Sequence, residues 1–314
     1  MNGKKLIKEN AIWLVFIAMV IIFTIASNGV FLRPNNLVAV GRQIAVYGIA
    51  SVGMTFVILI GGIDLSTGSI ITLVNIVCAY LMVNMGLDMW LAVGLSVSIA
   101  TLVGVLNGFM ISTIGIPALI ATFASQTVFE GAAYLISGGI PISGFTKDFD
   151  LFGKRAIGIV PVSVIIMIVC LAIGSFILNK SFFGRYFYAI GGNEDAAELS
   201  GIRVSRMKYL IYALSGFFAG IAGIVMLSRI GSAQGTAGKG YEFDVITCVV
   251  LGGVSVNGGV GKISGVVAGV LIIGSLTNGM ILMDVSTYTQ MVVKGIVLAI
   301  AVGVDCLSKK RQAA

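Results

Sequence analysis

The chain has no histidine, four prolines and four cysteines in 314 residues, and only 11% of it is charged. Without histidine it lacks the side chain that most often binds metals and moves protons near neutral pH. Cys78, Cys170, Cys248 and Cys306 each lie in or at the edge of an apolar run, none at metal-ligand spacing. They read as small core residues, not as a disulfide framework. Soluble domains carry roughly 25% charged residues. A compact sphere of this composition could not cover itself with polar surface, which excludes a soluble enzyme, a nucleic-acid module and a disordered chain. A phosphate-cradling loop is also missing. The nearest approach, Gly261-Lys262, is followed by Ile263, and Val256 stands where the first glycine belongs. The chain therefore cannot bind ATP in the usual manner, and any energy must come from a partner or an ion gradient.

What is present is apolar. The hydrophobic fraction is 58%, with 42 glycines, and the mean hydropathy is +1.06. Small residues let membrane helices approach closely. Runs long enough to cross a bilayer cover about 11–27, 43–61, 68–86, 89–113, 116–136, 158–179, 209–229, 263–283 and 290–306, and a shorter tenth covers about 243–256. The first follows Lys4, Lys5 and Lys8 and resembles a signal peptide, but its apolar run is longer than a signal core and reads as an uncleaved span. Ten spans put both termini on one side. Twelve of the 20 basic residues then share that side: Lys4, Lys5, Lys8, Lys180, Arg185, Arg203, Arg206, Lys208, Lys262, Lys309, Lys310 and Arg311. Positive charge marks the cytoplasmic face. The expectation is an all-α polytopic membrane protein, one transmembrane domain over 1–314 with about ten helices, both termini cytoplasmic.

Two connections are long. Segment 137–157 is external in this scheme, and 180–208 is cytoplasmic and the most polar stretch of the chain. In the latter, Gly191, Gly192 and Asn193 signal a turn. Asn193 suits an N-cap, and Glu194 and Asp195 follow where the helix dipole favours negative charge. Ala196, Ala197, Glu198 and Leu199 continue the helix, and Ser200 and Gly201 stop it. About two turns are unstable alone and call for a partner surface, unless the segment is simply a solvated loop.

Asp195-Ala196-Ala197 followed by Gly201 resembles the coupling motif of ATP-binding-cassette importer permeases, with aspartate for the usual glutamate. GGIDLSTGS (61–69), GRYFYAIGGNEDAAELSGI (184–202), SAQGTAGKGYEFDVI (232–246), LGGVSVNGGVG (251–261) and STYTQMVVKG (286–295) together are similar to the permease subunits of ribose/galactose/xylose-type importers. The likeness runs from about 30 to 306, with ribose permeases nearest and PISGF (141–145) shared with galactose permeases. The resemblance implies a plasma (inner) membrane permease, not an enzyme, without cofactor or metal. Its partners would be a separate ATPase, an extracytoplasmic sugar-binding protein, a second permease copy as homodimer or pseudo-dimer, and membrane lipid, with no nucleic acid. The coupling residues would be Asn193, Glu194, Asp195, Ala196, Ala197 and Gly201.

FVILIGGIDLS (56–66) and TCVVLGGVSVN (247–257) share an apolar run, Gly-Gly, then alternating aliphatic and polar residues, a weak repeat offset by 191. Interrupted apolar segments in two halves point to a transport site. Asp64, Ser66 and Ser69 in one, and Ser255 and Asn257 in the other, are candidate pathway groups, or Asp64 merely caps the helix starting near Gly68. An inverted repeat would place the breaks on opposite faces, whereas ten spans place both inside. Gln126 and Glu130 share a helix face at i and i+4. A carboxylate facing lipid is costly, so they line a pathway or make a buried helix contact. Gln290 and Lys294 are spaced alike, with Lys294 snorkelling to headgroups. Trp13 and Trp90 read as interface anchors, and Gly216/Gly220 and Gly265/Gly269 as close helix crossings. The competing class is an ion-gradient-driven transporter of a small polar solute, disfavoured because only Glu130 stands out as a deep acid.

Overall fold

The computed structural model describes residues 11–313. Lys4, Lys5 and Lys8 lie outside them, as do the side chains of Lys309, Lys310 and Arg311. Twelve α-helices follow in order: α1 (Ala11–Ala26), α2 (Pro34–Leu59), α3 (Thr67–Val83), α4 (Met89–Ser112), α5 (Ala118–Ser137), α6 (Val162–Lys180), α7 (Phe182–Gly192), α8 (Glu194–Leu199), α9 (Val204–Ile230), α10 (Tyr241–Leu251), α11 (Ile263–Leu282) and α12 (Thr287–Ala313). Three of the four prolines start helices and none interrupts one. Pro34 opens α2, and Pro117 and Pro161 occupy the N-caps of α5 and α6, where a missing N–H costs nothing. Seven helices are long and apolar enough to cross a membrane; α1 and α3 are shorter apolar helices. The tenth expected segment, α10, has 11 residues, about 16 Å at 1.5 Å per residue, half of a bilayer core.

The long connection after α5 is not featureless. A 3-10 turn at Lys147–Leu151 leads into an antiparallel pair, β1 (Ala156–Ile157) and β2 (Val160–Pro161). It docks where α9 ends: Gly153 N–H donates to Ser228 Oγ, which donates to Phe149 O. This is the hairpin end of the bundle. The opposite, polar-loop end holds α7, α8 and the start of α9.

α2 is the axis. It is buried on all sides through its second half, from Ile44 to Leu59, packed by α9, α6, α11 and α10. α4 and α9 run antiparallel at backbone contact, because Gly104 and Gly108 on one meet the backbone of Tyr212 and Tyr209 on the other, and Gly216 and Gly220 meet Ala100 and Val97 in return. Gly265 and Gly269 seat α11 on α10 in the same way. Both glycine pairs thus serve crossings within the chain.

The two Gly-Gly breaks are real helix ends, but their register is 192, not 191. After α2, Gly61 N–H donates to Ile58 O and Gly62 N–H to Val57 O. After α10, Gly253 N–H donates to Val250 O and Val254 N–H to Val249 O. The left-handed residue is Gly61 (φ 76°) in one and Gly253 (φ 84°) in the other. Matching glycine on glycine aligned the wrong members, since only one of each pair needs the left-handed conformation that glycine permits. The breaks touch: Gly259 N–H donates to Leu59 O at 2.8 Å. They lie at one end of the bundle, as a ten-segment count requires and an inverted repeat forbids.

Candidate functional site

The first break (60–66) carries a buried polar relay. Asp64 is fully buried. One carboxylate oxygen accepts from Ser66 N–H at 3.0 Å and Ser66 Oγ at 2.5 Å, and the other from Ser215 Oγ on α9 at 2.6 Å. Asn107 on α4 donates to Ser66 Oγ at 2.8 Å and accepts from Ser125 on α5 at 2.5 Å. Thr122, also on α5, bonds Ile63 O and Leu65 N–H. Every donor in the relay points toward Asp64, the one acceptor-only group when ionised. Asp64 ties the irregular turn to α4, α5 and α9. It does not bond the free amides at the start of α3, so it is not an N-cap of that helix. Ser69 bonds Ser66 O and is buried.

The second break (252–262) borrows its acid. Asp305 of α12 accepts from Ser255 Oγ at 2.9 Å and Val256 N–H at 3.1 Å. Ser255 is buried, and Asn257 is exposed. Register 192 sets Val256, not Ser255, opposite Asp64, so the second break supplies no carboxylate of its own.

A third cluster gathers on α10. Glu242 is 2% exposed. Gln126 donates to its Oε1 at 3.1 Å, while its Oε2 is buried without a hydrogen-bond partner, pressed against Gly68. Gln126 and Glu130 therefore part company: Gln126 reaches α10, and Glu130 is only half-buried, one turn nearer the hairpin end. Asp244 accepts from Lys294 at 2.7 Å and from Tyr47 OH at 3.1 Å. The Lys294 ammonium lies 5.9 Å from the Tyr47 ring centroid. Lys294 does not snorkel. It turns inward because a carboxylate 50 positions away in sequence is within reach, and a paired buried charge is far cheaper than a lone one. Gln290 bonds Val285 O instead. Three acids, Asp64, Glu242 and Asp244, thus lie deeper than Glu130, which removes the argument that set acid-poor spans against an ion-driven transporter. Glu242 and Asp244 were visible only as polar letters in SAQGTAGKGYEFDVI; their spacing at i and i+2 faces two different neighbours and makes no motif.

The polar loop holds two helices, not one. Gly191 and Gly192 close α7 and are not a turn; the chain breaks at Asn193, whose side chain accepts from Ala196 N–H at 2.9 Å. Glu194 pairs with Lys208 at 2.6 Å, and Gly201 has φ 84°. On α8, Asp195, Ala196, Glu198 and Leu199 are exposed, Leu199 by 90%, while Ala197 is buried against the chain itself. A bulky residue at 197 would meet this fold before it met a partner; Ala196 is the outward position. α7 lies against both breaks. Phe187 is buried on Phe56, with centroids 5.6 Å apart, and Tyr188 OH donates to Gly261 O at 2.7 Å. Gly191 packs on Leu59 O and Gly259 N, a contact no other residue type would allow.

Trp13 and Trp90 are exposed near the starts of α1 and α4. Cys78, Cys170 and Cys248 are buried, Cys306 exposed, and all four are free. Among the described residues no cluster could hold a metal ion.

Residues 36–302 match the family described as the permease component of the branched-chain amino acid transport system. The chain is similar to the ribose import permease of Bacillus subtilis, 45% identical over 92% of this chain and 91% of the relative. That of Haemophilus influenzae is 41% identical over 96% and 94%. The L-arabinose transport permease of Escherichia coli K12 is 39% identical over 88% and 84%. No solved structure matches.

Proposed function

The chain belongs to the family of permease components of the branched-chain amino acid transport system, and from that premise we propose that it forms the inner-membrane pathway of an ATP-binding-cassette importer for ribose. The observation that carries this reading is near end-to-end likeness to ribose import permeases from several bacteria. Such a permease works with a separate ATPase and an external binding protein. A second permease copy and surrounding lipid complete the assembly. The exposed apolar faces of α4, α5, α6 and α12 support both.

In this reading residues 1–314 form one permease domain with about ten membrane segments, α10 being a half-length one. Both termini and 180–208 face the cytoplasm, supported by Lys180, Arg185, Arg203, Arg206, Lys208 and Lys262 at the polar-loop end. The segment Asn193–Gly201 is the coupling element, supported by its outward Asp195, Ala196 and Glu198 and by the packing of α7 on both breaks. Gln126 and Glu130 belong to the pathway wall. Asp64, Ser66, Ser69 and Ser255 hold the breaks that shape it, and Asn257 is exposed beside them.

The buried acids Asp64, Glu242 and Asp244, with Lys294, favour a second reading, an ion-gradient-driven transporter. Proteoliposomes carrying this chain with its ATPase, given binding protein and radiolabelled ribose, separate the two. Ribose uptake is expected to require ATP and both partner proteins and to survive an uncoupler. Uptake without ATP that collapses with the uncoupler alone would overturn the importer reading. Competition by arabinose and xylose ranks the sugars.

A further inference from the structure

Between α9 and α10 the chain does not stay at the hairpin end. Ala233 is still there, paired with Ile142. Five residues later Gly238 N–H donates to Thr72 Oγ1 at 2.9 Å. Thr72 lies eleven residues from the hairpin-end terminus of α3 at Val83, about 16 Å along the helix axis. The segment 232–240 is therefore non-helical backbone running down into the membrane-spanning layer, where α10 begins.

Its side chains are not packed away. Ala233 and Gly238 are buried, but Gln234, Thr236 and Lys239 are exposed. Irregular backbone at membrane depth is tolerated where it is buried in protein or lines water, and does not face lipid. An ammonium on such a segment is costly unless solvated or paired, and Lys239 forms none of the salt bridges among the described residues. α5 runs alongside. Tyr134 packs on Gly235, and Gln126 bonds Glu242. Glu130 sits one turn from each of these contacts, on the same helix face, so it flanks the descending segment between them.

We propose that segment 232–240 is a re-entrant loop lining a water-filled vestibule open to the hairpin end, and that Gln234, Thr236 and Lys239, with Glu130 on the flanking α5, form a transit site for a neutral, hydroxyl-rich solute. This rests on the importer reading for the solute's identity, but the vestibule itself does not. The chemistry fits a polyol. An ammonium and amide donate to hydroxyl oxygens, a carboxylate accepts their protons, and opposite charges on the two walls leave no net preference for an ion. In the sequence this segment stands out only as part of SAQGTAGKGYEFDVI, a stretch that carries the family resemblance without singling out Gln234, Thr236 or Lys239.

The test uses the full chain with Cys306→Ser, the other three cysteines being buried. Gln234→Cys, Thr236→Cys and Lys239→Cys are treated in open membrane fragments with a membrane-impermeant maleimide, beside Leu102→Cys on the exposed apolar face of α4. Labelling of at least two loop positions well above Leu102→Cys is expected; reactivity no greater than that control overturns the vestibule. In the assembled transporter, Lys239→Gln and Glu130→Gln are expected to lower ribose uptake about tenfold, the scale of one charged hydrogen bond, with Lys239→Arg largely restoring it. Parent-like uptake in both glutamine variants overturns the transit site. Labelled loop positions in a parent that imports no ribose would instead count against the importer reading alone.

Discussion

The two helix breaks share a backbone and differ in everything that holds it. After α2 and after α10 the same pair of capping bonds closes around one left-handed glycine. The first break is sealed, with its own Asp64 at the focus of a relay through α4, α5 and α9. The second is looser. Asn257 and Val260 are exposed, and its acid, Asp305, arrives from α12. A turn that carries its own acid keeps the local bond to Ser66 whichever neighbouring helix shifts. A turn whose acid lies on another helix is fixed only while that helix stays. The first break is therefore expected to be the more rigid side and the second the more mobile one, and α7 touches both through Gly191 and Tyr188.

The largest effect expected from this contrast is at Asp64. Asp64→Ala strips the acceptor from Ser66 and Ser215 in a fully buried site, and unsatisfied buried donors cost about 1–3 kcal/mol each. The loss should reach about 3 kcal/mol or more, read as a lower melting temperature of the purified protein and a reduced folded yield. Asp64→Asn, which keeps one acceptor oxygen, should lose roughly half of that. A parent-like melting curve for Asp64→Ala would show that the relay does not hold the first break.

Asp305→Ala should cost less, about 1–2 kcal/mol, and its signature is local. Hydrogen exchange should rise in 255–261 while the first break keeps its protection, because the two share few bonds besides Gly259 N–H to Leu59 O. If exchange rises equally in 60–66, the breaks move as one unit and the distinction between anchor and mobile side fails.

How much of this was legible in the sequence follows from the range of the interactions. The apolar runs were readable because a span is a local property, and each became a helix, though α2 begins at Pro34, nine residues before its expected start at 43. The α8 cap was readable because Asn193 bonds an amide three residues away. Asp64 was noticed for its place after Gly-Gly, yet its role was not legible, since Ser215 lies 151 positions on. The partner of Lys294 is hidden for the same reason, since Asp244 lies 50 positions away. α7 escaped notice because Gly191-Gly192 usually breaks a helix; here the close approach of Leu59 demands glycine inside one. Residue identity repeats at 191 and conformation at 192, because only Gly61 and Gly253 are left-handed.

That register carries the smallest and cleanest prediction. If Gly61 and Gly253 are equivalent, alanine at either should cost the same. A Cβ on Gly61 meets nothing closer than Asn257 O at 3.8 Å, and one on Gly253 meets nothing within 4 Å. Neither variant clashes, so each loses only the left-handed strain of an L-residue, about 1–2 kcal/mol, less a few tenths to 1 kcal/mol recovered from a stiffer unfolded chain. The net is about 1 kcal/mol for both. Under a register of 191 the partner of Gly61 would be Gly252, whose Cβ would lie 2.6 Å from Val266 Cα, a backbone clash that costs more than strain. Melting temperatures of the three alanine variants therefore decide the alignment. Gly61→Ala and Gly253→Ala should fall together, with Gly252→Ala well below them. If Gly61→Ala instead tracks Gly252→Ala, the breaks are not conformational repeats, and the contrast drawn between them loses its common frame.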